Sequence, residues 1–387
     1  MRLLILTSRF GSGYGMGYAT YKEATALADL GHTITVVYCN PDPDITNYRD
    51  KRINFKHLSI KKTPFIGLAM FYFTVRSFFK KCINISDFDA IYIQSLEFGW
   101  VNFKKLKIPV FYFVRSTILG PQKVLRSEKT PVSLLGRAVR YLLVFLEKRC
   151  LRYSKVIFVK SRIMIDEISR LYRVNQDRVV VINGGIDIKD FSVLPRSAVI
   201  DLKNELGISL DSFVVLYAGR IVPQKGLRYL IEASFNLFPK FNFVVVIAGA
   251  GLSKSYTTKM KNLVEKSSYQ EKFYFLDHID QLKISSIFNL ADCLVTPSLY
   301  EPFSMVNLQA AVLGKNIITT DAVGSIYLLA DYKNIKIVEA GSLNAIADAL
   351  QKLMLNTVKL DKASESFDFS CYSWHDVAKQ LLKYFSK

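Results

Sequence analysis

No apolar run in this sequence approaches the roughly 20 residues needed to span a bilayer, so a membrane-crossing helix is not expected. The start MRLLILTSRF reaches Ser8 and Arg9 too early for the apolar core of a secretion signal, and no leader is expected. Cysteine is scarce, with five in 387 residues and no CxxC pair, which argues against a disulfide framework and a zinc site. A reducing cytosol is the simplest setting. Histidine is scarcer still: His32, His57, His278 and His375 share no ligand spacing. Two Asp-x-Asp pairs are weak metal candidates, because Asp87 and Asp89 precede a strand and Asp42 and Asp44 suit a proline-containing turn. No metal and no cofactor is expected.

Acidic residues are short in one half only. Residues 1–190 carry 31 Lys and Arg against 15 Asp and Glu, whereas residues 191–387 carry 21 against 18. Nearly all of the net charge of +19 therefore sits in the first half. Such asymmetry points to a polyanionic partner, a membrane or a nucleic acid. No nucleic-acid-binding motif accompanies the basic residues, so a membrane is the expected partner.

What is abundant is alternation. LLILT, TITVVYC, AIYIQS, PVFYFV, KVIFVK and RVVVIN read as buried parallel strands in the first half. FVVLYAG, NFVVVIAG, KFYFL, CLVTPS and NIITT do the same in the second, with amphipathic stretches between them. The expected fold class is α/β, two doubly wound parallel-sheet domains covering residues 1–185 and 186–371. NGGIDIKDFSVLPRSA, rich in turn formers, is the expected linker. The tail SWHDVAKQLLKYFSK reads as a last amphipathic helix.

Arg220 falls where FVVLYAG ends, and Lys225 falls just before the helix expected from about Gly226. A lysine there meets the positive end of the helix dipole. Two cations that compensate no helix dipole, at a strand's carboxyl end, suit a diphosphate, although a solvated loop lysine is the plainer explanation. Glu301 follows CLVTPS on the same rim, and the helix SMVNLQAAVLG would aim the amides of Ser304, Met305 and Val306 at the pocket. In the first half, TSRFGSGYGMGYATYKEA places Gly13, Gly15 and Gly17 between strand and helix. Glycine spacing fails the dinucleotide fingerprint; anion approach and a simple small-residue turn both remain open.

The stretches GHTITVV (31–37), VINGGID (181–187), GR-x4-KG (219–226) and PSxxEPF (297–303) together resemble glycosyltransferase family 4. The resemblance implies a GT-B fold, two Rossmann-like domains facing across a cleft with helix 372–387 packing back on the first. It implies retaining transfer from a nucleotide-sugar donor to a glycan or lipid-linked acceptor, as in polysaccharide or glycolipid biosynthesis. By the same resemblance Gly219, Arg220 and Lys225 hold the diphosphate, and Glu301, with Phe303 and Ser304 beside it, meets the sugar. The second acid of the family's E-x7-E pattern, which binds the ribose, is here Gln309. An amide oxygen still accepts a hydrogen bond, so this loss weakens donor binding without removing a proton-transfer step.

Other departures reach closer to the chemistry. Arg115 stands where the family has His, and a GGxPE-like turn is GSIYL from Gly324, without its acid. Arg115 would neutralise phosphate or bind an acidic acceptor. A catalytically silent nucleotide-sugar-binding partner is the competing class. For the basic surplus, KKTPFIGLAMFYFTVRSFFKK (61–81) is the favoured membrane-lying stretch. SLLGRAVRYLLVFLEKRCLRYSK (133–155) reads more simply as a sheet-packed helix with a basic wet face. The expected setting is the inner face of the cell membrane.

Overall fold

A computed structural model describes residues 1–11, 16–41, 50–58, 66–128, 133–251, 254–276, 281–356, 367–369 and 372–386. Contacts divide the chain into unit 1 (1–122, 131–185 and 371–387) and unit 2 (123–130 and 186–370).

Unit 1 is built on a seven-stranded sheet of β1 (Arg2–Phe10), β2 (Thr33–Pro41), β3 (Ile53–His57), β4 (Ala90–Ile93), β5 (Val110–Val114), β6 (Val156–Val159) and β7 (Val179–Val181). All pairs are parallel, in the order β3-β2-β1-β4-β5-β6-β7. Its helices are α1 (Met16–Asp29), α2 (Ile66–Cys82), α3 (Gln122–Ser127), α4 (Leu134–Tyr153) and α5 (Arg162–Tyr172). The period-2 pleat sends Leu3 and Ile5 into one core and Leu4 and Leu6 into the other. Both faces are covered, which is why the central strands are continuous apolar runs. The edge strand β3, INFKH, alternates instead and was not legible as a strand in the sequence.

Unit 2 carries a six-stranded parallel sheet of β8 (Phe213–Ala218), β9 (Phe243–Ala248), β10 (Phe273–Leu276), β11 (Cys293–Thr296), β12 (Asn316–Thr320) and β13 (Ile335–Val338). Its order is β10-β9-β8-β11-β12-β13. The helices are α6 (Arg196–Glu205), α7 (Leu227–Phe235), α8 (Lys254–Glu265), α9 (Gln281–Leu290), α10 (Met305–Val312) and α11 (Leu343–Leu355). α6 begins at Arg196, inside the stretch read as linker, because RSAVIDLKNE can bury one face once Pro195 has started it. The strand order of each sheet reverses once, between β1 and β4 and between β8 and β11, and ligands of doubly wound sheets bind at the carboxyl ends there.

The last helix, α12 (Trp374–Phe385), belongs to unit 1. Ser373 caps it by accepting from the Asp376 amide at 3.2 Å. Trp374, Val377, Ala378, Leu381 and Phe385 form its buried stripe, and burial of each large side chain contributes about 1.5–3 kcal/mol. Phe385 meets Phe111 at 4.8 Å and Tyr92 at 5.3 Å between ring centroids. Trp374 lies so close over the NGG turn that a Cβ on Gly185 would stand 2.5 Å from its ring. That approach admits only glycine.

Candidate active site

The rim of unit 2 at its switch point is assembled from the loops after β8 and β11. β8 ends at Ala218, Gly219 follows at φ 145°, and Arg220 is exposed. Buried Tyr217 donates its hydroxyl to the Arg220 carbonyl at 2.8 Å, which sets where the arginine leaves the strand. Pro223–Lys225 form a single 3-10 turn, and Gly226 then takes the left-handed conformation at φ 67°. A Cβ on Gly226 would sit 1.9 Å from the Pro297 carbonyl oxygen. The two loops therefore touch backbone to backbone, joined also by the Leu299 amide donating to the Gln224 carbonyl at 2.8 Å.

That contact brings Lys225 to Glu301. The lysine Nζ donates to the Glu301 carboxylate in an ion pair whose side chains are only 16% and 17% exposed. Burial pushes the Glu301 carboxyl up, but the Lys225 charge and hydrogen bond, the Phe303 amide and the Arg220 charge outweigh it. Its pKa lies below the ordinary carboxylate value, so it is ionised at neutral pH. Lys225 thus stands at the helix start where the sequence places it, and its ammonium is engaged by Glu301.

Beyond Glu301 the chain enters α10. Ser304 is its N-cap at φ 80°, a left-handed conformation costing a non-glycine residue about 1–3 kcal/mol. Its buried hydroxyl has no hydrogen-bond partner among the described residues. Nor does any hydrogen bond among the described residues occupy the amides of Ser304, Met305 and Val306. Phe303 is buried, whereas Met305, Val306 and Gln309 are half-buried on the helix. Under the helix lies a polar knot: Thr296 donates to Asn307 at 2.9 Å, and Asn307 donates to Thr319 and to Ser325, both at 3.1 Å. The turn that lacks its acid is held in this way too. Gly324 and Ser325 donate their amides to the Glu301 and Phe303 carbonyls at 2.9 and 2.7 Å.

In unit 1, Arg115 follows β5 and stacks on Phe113 at 4.7 Å. It donates to Glu23 of α1 at 2.8 Å and to Gln94 at 2.6 and 3.0 Å. Tyr92 and Gln94 complete the Glu23 carboxylate at 2.9 and 2.6 Å. The Arg115 charge is thus already matched inside unit 1, which leaves its Nη1 as a buried donor without a partner among the described residues. Gly13 and Gly15 lie outside the described residues, as do Asp42 and Asp44. Gly17 is inside α1, where an added Cβ would make only ordinary contacts from 3.6 Å. Asp89 accepts from the Arg2 amide at 2.7 Å and its guanidinium at 3.2 Å. Among the described residues no three His, Cys, Asp or Glu side chains are grouped to hold a metal.

Two further buried acids clamp the loop after Arg115. Glu167 accepts from Thr117 at 2.6 Å, and Glu147 accepts from the Ile118 amide at 3.0 Å and from the Tyr172 hydroxyl. Burial raises the Glu147 pKa from 4.5 to about 7 despite those two bonds. The folded protein therefore keeps a proton that the unfolded chain has released between these values. Its stabilising effect is full below pH 4.5 and is lost as pH rises through about 7. Glu147→Gln is expected to flatten the fall in Tm between pH 4.5 and pH 7, an effect of at most about 3 kcal/mol. Equal slopes for variant and wild type in thermal melts would count against it.

Known proteins match this chain over nearly its whole length. The Glycosyltransferase Family 4 model matches residues 14–190, and the Glycosyl transferases group 1 model matches residues 199–367. An uncharacterized glycosyltransferase of Methanocaldococcus jannaschii is 24% identical, with 99% of this chain and 97% of that one aligned. An Anabaena protein solved with UDP-glucose superposes with a TM-score of 0.76 at 17% identity, covering 99% of both chains. WaaG, a glycosyltransferase involved in lipopolysaccharide biosynthesis, superposes with a TM-score of 0.76 at 18% identity over 98% of this chain and 99% of its own.

Proposed function

This chain belongs to glycosyltransferase family 4 and has the GT-B fold, and from that premise we propose the reaction that its rim serves. The protein transfers a sugar, with retention, from a nucleotide-sugar donor to a glycan or lipid-linked acceptor. The observation that carries this reading is the meeting of Lys225 and Glu301 beside Arg220 at the switch point of unit 2. A nucleoside diphosphate leaving there carries developing negative charge. Lys225, Arg220 and the open amides at the start of α10 face that charge, and their stabilisation of it is the main catalytic contribution. The reading assigns charge compensation to these groups without a metal. Glu301, ionised and half-buried, accepts from a hydroxyl of the transferred sugar. Gln309 accepts from the ribose.

A silent nucleotide-sugar-binding partner is the second reading. It is favoured by Gln309, by the acid-free turn at Gly324 and by Arg115, whose charge is spent on Glu23. Thermal melts across nucleotide sugars test the donor site, with UDP-glucose as the first probe because the Anabaena structure contains it. A cognate donor at about 100 times its Kd adds about 2.7 kcal/mol of apparent stability. Release of nucleoside diphosphate during incubation supports the enzyme over the silent partner, and no shift with any nucleotide sugar contradicts both. The basic surplus of the first half supports an acceptor presented at an anionic membrane surface.

A further inference from the structure

The membrane-lying stretch expected at 61–81 is only partly described: Lys61 and Lys62 lie outside the described residues, and α2 begins at Ile66. The structure exposes apolar surface on the other basic helix. α4 buries Leu146, Cys150 and Leu151 towards the core, and its single acid, Glu147, points the same way. Its opposite face should be wet and polar. Instead Leu134 is 82% exposed, Tyr141 79% and Phe145 48%. With Ala138, these residues follow the spacing i, i+4, i+7 and i+11, a single stripe on a helix.

Past Phe145 the same line continues as Lys148 and Arg152, flanked on the helix by Arg137 and Arg140. The stripe is therefore apolar over its first turns and cationic over its last, with no exposed carboxylate on α4. It does not stand alone. Trp100 meets Phe145 at 6.2 Å and Tyr72 of α2 at 5.1 Å, so α2 lies alongside. There Phe73 is 68% exposed, and Arg76, Lys80 and Lys81 add charge without any acid in the helix.

We propose that the outward stripe of α4, with Phe73 of α2, is the surface by which unit 1 docks on an anionic lipid bilayer. Exposed large apolar side chains in a helical stripe insert among acyl chains, while arginine and lysine beside them reach phosphate headgroups. Charge selects this occupant over a second copy, since an isologous pair would press two cationic faces together. Nucleic acid would meet the cations but leave Leu134, Tyr141 and Phe145 without an apolar partner. Among the described residues no helix is long and apolar enough to cross a membrane, so the contact is a surface one. The inference rests on the membrane placement proposed above and not on sugar transfer.

The test is co-sedimentation of the full chain with vesicles of phosphatidylcholine alone or mixed with phosphatidylglycerol. Wild type is expected to bind the mixed vesicles and to release them as salt is raised. The triple variant Leu134→Ser, Tyr141→Ser, Phe145→Ser and the triple variant Arg137→Gln, Arg140→Gln, Lys148→Gln are each expected to lose about tenfold or more in partitioning. Both should keep wild-type UDP binding and melting curves, which shows that the fold and the donor site are intact. Wild-type partitioning by both variants overturns the proposal, as does a wild type that ignores anionic vesicles. A solution dimer abolished by the serine variant would also overturn it, assigning the stripe to a copy of the chain. Vesicle binding without UDP binding would instead sink the donor reading and leave this one standing.

Discussion

Lys225→Ala is expected to lower turnover of a cognate nucleotide sugar by about a hundredfold to a thousandfold. The magnitude is that of removing one preorganised charge-assisted donor from a water-poor site, about 3–4 kcal/mol of transition-state stabilisation. Arg220→Ala should cost less, because its side chain is exposed where Lys225 is mostly enclosed. The change at Lys225 also leaves Glu301 without its closest cation in a half-buried position. Its pKa then rises, since burial is the largest influence on it and the lysine is what outweighs that influence. In wild type the depressed Glu301 pKa contributes stability above the unfolded value of 4.5, lost as pH falls through the folded one. Lys225→Ala should forfeit that contribution near neutrality. Steady-state release of nucleoside diphosphate checks the first effect and thermal melts the second; undiminished turnover would remove the lysine from the chemistry.

Glu301→Gln is expected to act in opposite directions on two ligands. Without a ligand the Lys225 ammonium is engaged by the Glu301 carboxylate. A diphosphate must compete for that lysine, and an uncharged amide in place of the carboxylate would release it. UDP should therefore bind the variant more tightly, by up to about tenfold, equivalent to about 1.4 kcal/mol. The same substitution removes the charged acceptor offered to the transferred sugar, so turnover should fall about a hundredfold. Discrimination of UDP-sugar over UDP then shrinks from both sides. Equal weakening of both ligands, measured by calorimetry, would mean that the pair preorganises Lys225 instead of occupying it.

The sequence makes the central strands of both units visible for a physical reason. Strands such as VFYFV and FVVVIA are buried on both faces, and no other element of five or six residues needs so continuous an apolar run. The edge strands β3 and β13 have one neighbour each and mix exposed with buried positions, so INFKH and IKIV did not stand out. At the rim, Arg220, Lys225 and Glu301 are legible through their combination at strand ends, within the GR-x4-KG and PSxxEPF stretches. Their supports are not. Tyr217 and Thr296 read as ordinary strand residues, and nothing local says that one holds the Arg220 carbonyl and the other anchors Asn307. Arg115 shows the same limit: its partner Glu23 is 92 positions away, and only the fold brings them together.

The central claim is that the Lys225 cradle grips the diphosphate rather than the base or the sugar. Calorimetric titration of UMP and UDP into wild type and Lys225→Ala tests it most directly. One charge-assisted phosphate contact is worth about 1.5–3 kcal/mol. Wild type should therefore prefer UDP to UMP by about tenfold or more, with the preference largely gone in the variant. Equal affinity of wild type for the two nucleotides, or a UDP preference that survives the loss of Lys225, would contradict the account.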